Sequence, residues 1–351
     1  NSNKVTRMKI LYGIQGTGNG HLSRARAMEK HFTLHNADVT YLFSGRKRED
    51  LFGMDAFGNF ETRRGMTFSF NAGKISYPKT LATNNLVKFV CEVLTLDLSA
   101  YDVVINDFEP VSAWAARLQG KQLICFGNQP AFHHDIPVAG SDLIARQVLK
   151  YFAPGRINIG LHWHHFNQPI LPPIIHVDAD ETAVIDRKVL VYLPFENLDN
   201  LVAVLQAFTG FQFYIYSSGH AITDNGNIHV RPFSLDGFQY DLKSASAVMC
   251  NAGFELPSEC LQLGKKLLVK PLHNQMEQAS NVLALERLGL ATSMQQVDAD
   301  VIERWLLAHN TNQPMNYPDV AAALVAWILA GDWDTSDSLA SGLWEDTAFA
   351  M

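Results

Sequence analysis

Two groups of polar residues stand where short apolar runs end, and their types suit chemistry on a phosphorylated substrate. The first is Gly13-Ile14-Gln15-Gly16-Thr17-Gly18-Asn19-Gly20-His21, at the end of an apolar run over residues 9–16. Glycine has no Cβ, so the backbone can turn sharply there and approach a ligand. A helix beginning near His21 presents unpaired N–H groups and a positive dipole end, which makes Gly18, Asn19 and Gly20 candidates for contact with a phosphate or an acceptor oxyanion. The imidazole of His21 titrates in the range a proton-transfer group needs. A solvated histidine in a tight turn is the structural alternative, and this junction alone leaves both open. Glycines at 13, 16, 18 and 20 match neither a GxGxxG fingerprint nor a GK[ST] loop, so a nicotinamide cofactor gains little support.

The second group comprises Arg231-Pro232-Phe233 and then Asn251-Ala252-Gly253-Phe254-Glu255 as far as Glu259. An apolar run over 247–250 passes into a helical pattern, whose first N–H groups, at about 253–256, are suited to a diphosphate. Pro257 fits the first turn of that helix, where its missing donor costs nothing. Glu259, one turn on, has the two acceptor oxygens that a pair of ribose hydroxyls requires; a solvated helix glutamate is the alternative. The run over 266–269 ends in Lys270-Pro271-Leu272-His273-Asn274-Gln275, which returns amides to the same edge, where they suit a ligand or a helix cap.

The elements that must position these groups alternate between strand and helix. Strand-like runs cover 9–16, 38–45, 60–70, 102–108 and 121–127, with helical patterns over 21–32, 80–98 and 111–118. Short apolar runs separated by helices are what a buried parallel sheet requires. Residues 169–187, proline-rich and then acidic, mark a boundary, after which strands at 188–193, 211–216, 227–230, 247–250 and 266–269 alternate with helices. From 300 onward the pattern is largely helical. Two open sheets place ligands in the crevice at the carboxyl ends of their strands.

Composition fits this plan. A chain of 351 residues exceeds one ordinary core of roughly 150 residues. At 47% hydrophobic and 18% charged it can build two cores, and a net charge of −7 disfavours a nucleic-acid partner. Cys91, Cys125, Cys250 and Cys260 lack CxxC spacing and read as reduced thiols. No apolar run reaches the ~18 residues of a membrane span, and residues 1–9 lack a signal-peptide core. A soluble cytoplasmic protein is the expectation, with peripheral membrane contact left open.

The run NAGFELPSECLQLGKKLLVKPLHNQMEQASNVLALERLGLA, ending at Ala291, resembles the donor-binding signature of the GT-B glycosyltransferases. The nearest resemblance is to the lipid II-forming N-acetylglucosaminyltransferases and the UDP-dependent transferases. It implies an α/β fold of two Rossmann-like domains: an acceptor domain over 1–175, a nucleotide-sugar donor domain over 176–330, and a helical tail, 331–351, returning to the first. It also implies that Arg231 and Phe233 border the nucleobase, that Ala252, Gly253 and Phe254 approach the diphosphate, and that Glu259 binds ribose. Asn274 and Gln275 would bind the sugar. His21 matches the family's catalytic base, and Asp107 the aspartate that pairs with it. The implied reaction is inverting transfer from a nucleotide sugar, expected to be a UDP-sugar, to an acceptor hydroxyl, with no cofactor and no metal.

This chain departs from the family in two places. Glu255 puts a carboxylate near the diphosphate, and Leu193-Pro194-Phe195-Glu196-Asn197 replaces a glycine-rich turn, for which Ser218 within Ser217-Ser218-Gly219 is the candidate substitute. The spacing of His21 and Arg24 also resembles nucleotide-sugar hydrolases of the same fold, the rival reading; a non-catalytic nucleotide-sugar sensor is a more distant one. Asn128 and Gln129, after the strand at 121–127, are candidates for the acceptor side. In His162-Trp163-His164-His165, read as a strand, only His162 and His164 would share a face, too few ligands for a metal.

Overall fold

The computed structural model describes residues 7–67, 70–71, 74–75, 84–140, 143–176, 182–345 and 347. The expectations for 1–9, 60–70, 80–98, 169–187 and 331–351 fall partly outside these. The first half runs through β1 (Lys9–Gln15), α1 (Asn19–Leu34), β2 (Asp38–Ser44), β3 (Glu61–Arg63), the antiparallel pair β4 (Phe70–Asn71) and β5 (Lys74–Ile75), and α2 (Leu86–Thr95). It continues with β6 (Val103–Asp107), α3 (Pro110–Leu118), β7 (Gln122–Gly127), α4 (Asn128–Ala131), α5 (Leu143–Tyr151) and β8 (Ile157–Gly160). Six of these strands form a parallel sheet in the order β3-β2-β1-β6-β7-β8.

The second half contains β9 (Ile185–Tyr192), α6 (Leu198–Leu205), β10 (Gln212–Tyr216), β11 (Thr223–Asn225), β12 (Ile228–Arg231), α7 (Leu235–Ser244) and β13 (Ala245–Asn251). Then come α8 (Glu255–Gln262), β14 (Lys266–Lys270), α9 (Met276–Arg287) and β15 (Thr292–Ser293). Their sheet has the order β11-β12-β10-β9-β13-β14-β15, with only β11 antiparallel to its neighbour.

Side-chain alternation along the strands sorts residues between two faces. On β1, Ile10, Tyr12 and Ile14 join one apolar cluster and Leu11 another. On β13, Val248 and Cys250 join that same first cluster, and Ala247 and Met249 face the far side. One core therefore runs continuously from the first sheet through Trp163 to the second. The last helices complete it. α10 (Ala299–Leu307) packs on the second sheet through Ile302 and Trp305. α11 (Val320–Ala330) lies against α1, and Trp344 of α12 (Ser336–Glu345) donates to the Ile170 carbonyl at 2.5 Å.

Several expectations need correction. The strand expected over 60–70 is, where described, the three-residue β3 and the first residue of β4, Phe70. Residues 162–165 are not a strand: the Nδ1 atoms of His162, His164 and His165 each accept a backbone N–H at 2.9 Å, from Trp163, Phe166 and Asn167. The glycines after β1 owe their place to close packing, since none of Gly13, Gly16, Gly18 and Gly20 has a positive φ. A Cβ on Gly13 would lie 2.0 Å from Ser112 Oγ, because α3 packs tightly against β1.

Candidate active site

Both sheets reverse their strand order at one point, the first between β1 and β6 and the second between β9 and β13. Loops leaving adjacent strand ends diverge there and open a crevice. The two crevices face each other and form a cavity of about 520 Å³.

In the first wall, Ile14 pairs with Asp107 in register, so the helix after β1 and the end of β6 meet at the cleft. His21 Nδ1 lies 2.8 Å from Asp107 Oδ1. Arg24, one turn along α1, donates from Nε to Asp107 Oδ2 at 2.7 Å and from Nη2 to Oδ1 at 2.9 Å. Asp107 is completely buried. Burial alone would favour its neutral acid, but the Arg24 guanidinium and the His21 ring outweigh it and hold the carboxyl at about 2. An ionised carboxylate only accepts, so a proton on His21 Nδ1 suits this contact and would leave the Nε2 lone pair open to a ligand. The backbone bends sharply after Asp107: Phe108 has φ 56°, an uncommon conformation for a large side chain. Asn106 holds that turn by donating to the Glu109 carbonyl at 2.7 Å and accepting the Glu109 N–H at 3.1 Å.

The second wall is built around α8. Glu255, in its first turn, bonds to Arg24 Nη1 and so joins the two halves. Glu259 accepts from Ser23 Oγ at 3.0 Å, again across the cleft. Burial raises both acids, Glu255 to about 8 and Glu259 to about 7, with Arg24 offsetting part of the first shift and hydrogen bonds from Ser23 and Gln239 part of the second. Phe233 meets Phe52 from the first half with ring centroids 4.8 Å apart and the rings tilted by 58°. Glu277, in the first turn of α9, receives Gln129 Nε2 at 3.3 and 3.2 Å on its two oxygens. The carboxyl of Glu277 is raised, chiefly by burial.

Two features of the cleft call for a ligand. The helices α1, α8 and α9 start at its edge with no side-chain cap on their first N–H groups. The side-chain oxygens Asn128 Oδ1, Gln129 Oε1, Asn251 Oδ1 and Gln275 Oε1 are buried without a hydrogen-bond partner. An unmet buried acceptor costs about 1–3 kcal/mol, so these four suit hydrogen-bond donors brought in from outside. Among the described residues no three His, Cys, Asp or Glu side chains converge as a metal's ligands would.

The family model described as Glycosyl transferase family 1 matches residues 8–309. The chain belongs to that family. No functionally curated sequence matches it significantly. Solved structures share the fold. The glycotransferase of kitacinnamycin superposes with a TM-score of 0.60 at 13% identity, over 97% of this chain and 100% of that one. Spinosyn rhamnosyltransferase SpnG, complexed with thymidine diphosphate, gives 0.57 at 14%, over 96% and 100%. MurG from Acinetobacter baumannii gives 0.51 at 17%, over 97% and 95%. The protein is a glycosyltransferase with the GT-B arrangement of two facing α/β halves. None of the described helices is long and apolar enough to cross a membrane.

Most residues singled out in the sequence meet in the glycosyltransferase's cleft. Gly18, Asn19, Gly20, His21, Asn128 and Gln129 line one wall, and Phe233, Gly253, Phe254, Glu259 and Gln275 the other. Asp107 stands behind His21, and Ala252 is buried with its carbonyl bonded to Asn281 Nδ2 at 3.0 Å. Three others lie off the cleft lining. Asn274 is exposed in a left-handed turn, φ 59°, because α9 begins only at Met276. Ser218 is exposed on the loop after β10, and the Arg231 side chain is drawn to Asp224 at 2.7 Å. Sequence reasoning missed Glu277 and Gln278, which line the cleft where Asn274 does not, and the role of Arg24 as a bridge. The pair Glu277-Gln278 begins two residues after Gln275, so a later helix start would have pointed to it.

Proposed function

We propose that the glycosyltransferase takes its sugar from a pyrimidine nucleoside diphosphate donor and passes it, with inversion and without a metal ion, to an acceptor hydroxyl. The observation that carries this reading is the His21–Asp107 pair at the cleft, opposite the uncapped start of α8. His21 Nε2 removes the proton of the acceptor hydroxyl as that oxygen attacks the anomeric carbon, and Asp107 stabilises the resulting imidazolium. The anomeric carbon–oxygen bond breaks on the opposite face, and the departing diphosphate is met by the N–H groups at the start of α8 and their helix dipole. Phe233, Phe52 and Tyr192 form an aromatic edge suited to a flat base. The orphan amide oxygens together with Glu277 suit the hydroxyl donors of a sugar. Thymidine diphosphate bound to SpnG, a protein of the same fold, agrees with a pyrimidine donor.

Thermal-shift measurements with UDP, dTDP, GDP and CMP, followed by donor turnover in the presence of EDTA, test the reading. Stabilisation by a pyrimidine nucleoside diphosphate and EDTA-resistant turnover are expected. A melting temperature unmoved by all four would sink it.

A further inference from the structure

Glu255 opens α8, the end at which the reading above puts a diphosphate, and a second anion there would repel it. The surroundings of the carboxyl resolve this conflict. It is buried, and its hydrogen-bond partner is Arg24 Nη1. That guanidinium is already committed, through Nε and Nη2, to both oxygens of Asp107. One cation therefore serves two buried carboxyls, with two of its nitrogens on Asp107 and one on Glu255. The other ionisable groups facing Glu255 are acidic or neutral: Asp107 from the end of β6, Glu259 one turn along α8, and the Tyr12 phenol from β1. On the α1 side Gly20 packs closely against Glu255, since a Cβ there would come within 2.7 Å of Glu255 Cγ. An acid so placed keeps its proton into the alkaline range, to about 8.

We propose that Glu255 meets the donor's diphosphate as a neutral carboxylic acid, donating its O–H to a phosphate oxygen beside the free N–H groups of α8. The inference rests on the nucleoside diphosphate reading and adds the protonation state in which the donor is bound. A neutral acid removes the repulsion and supplies a charge-assisted hydrogen bond in its place. Because Arg24 stays on Asp107, the orientation of His21 is preserved while the donor enters. Donor binding then requires the protonated form, so affinity falls as the pH rises past the point where free Glu255 ionises, and binding above that point draws a proton from solution.

Calorimetric titration of the intact protein with UDP or dTDP at pH 7 and pH 9, in buffers of different ionisation enthalpy, tests this. In the native protein affinity is expected to weaken about tenfold between the two values, with uptake of about one proton per site at pH 9. In Glu255→Gln, whose amide donates at either pH, most of that weakening and the uptake should vanish. If the native protein takes up no proton at pH 9, or if Glu255→Gln keeps the same uptake and the same loss of affinity, the proposal is overturned and the donor reading stands. If neither protein binds either nucleotide at either pH, both are overturned. An absence of proton uptake in the native protein at pH 9 overturns the proposal even if the variant fails to fold.

Discussion

Three helices that start at the edge of the cleft, α1, α8 and α9, differ in their first turns from six others. Asn85, Glu109, Asn197, Asp298 and Asp319 each accept a first-turn N–H from the helix they precede, and Ser234 does the same for α7 at the cleft's aromatic edge. Gly18, Phe254 and Gln275, which precede α1, α8 and α9, make no such bond. A cap stabilises a helix by about 1 kcal/mol, so α1, α8 and α9 forgo an interaction that those six helices have. His21, Glu255 and Glu277 lie in their first turns, as Asp199, Asp236 and Asp300 lie in those of α6, α7 and α10. The contrast is what a ligand held by the first N–H groups of α1, α8 and α9 would require.

The sharpest way to break this contrast lies in α1. His21→Ala should lower kcat by about 10³-fold, the range for loss of a general base, and leave nucleotide affinity within about threefold of native. Steady-state turnover and titration with UDP or dTDP check both; retained turnover would remove His21 from the chemistry. The next effect belongs to α8 and concerns stability. Glu255 and Glu259 hold their protons to about 8 and about 7 in the folded protein, against the ordinary 4.5 of an unfolded chain. The folded state thus binds more protons between those limits, and stability must fall as pH rises through them. Asp107 acts in the opposite sense and outside this window, its contribution being lost only as pH falls toward about 2. Urea unfolding of the ligand-free protein should show a loss of roughly 6 kcal/mol from pH 5 to 8, reduced by about half in Glu255→Gln. A flat profile would show that these carboxyls are not held neutral.

Much of the fold is legible in the sequence because its strands are buried on both faces and read as apolar runs. Among the exceptions, β11 is exposed at all three residues, β15 has only two, and β8 is a four-residue sheet edge buried only at Ile159 and Gly160. In the site, His21 and Gly253 are legible because a strand–helix junction is a local feature. Asp107 is legible through its family resemblance, since its contact with His21 spans 86 positions. Arg24 and Glu255 are 231 positions apart, and only the approach of one half to the other brings them together. Asn274 illustrates a different limit. Asparagine suits a helix cap and also a left-handed turn, and here the turn is adopted, so the side chains entering the cleft come from one turn later.

That later turn provides a smaller test. Glu277→Ala removes an acceptor proposed to face a sugar hydroxyl, so kcat/KM should fall about 10- to 100-fold. Affinity for the nucleotide without its sugar should stay unchanged, which separates Glu277 from the diphosphate end. The smallest expected effect lies outside the cleft. Asp298 caps α10 by accepting from Asp300 and Val301, each at 3.0 Å, on the far side of the second sheet. Asp298→Ala should cost about 1 kcal/mol of stability, read as a lower urea midpoint at an unchanged slope. Nucleotide affinity and turnover should remain native, because nothing links that helix end to a ligand. If Asp298→Ala weakened nucleotide binding as much as it weakened the fold, the two kinds of helix end would not be separable, and the missing caps at α1, α8 and α9 would lose their meaning.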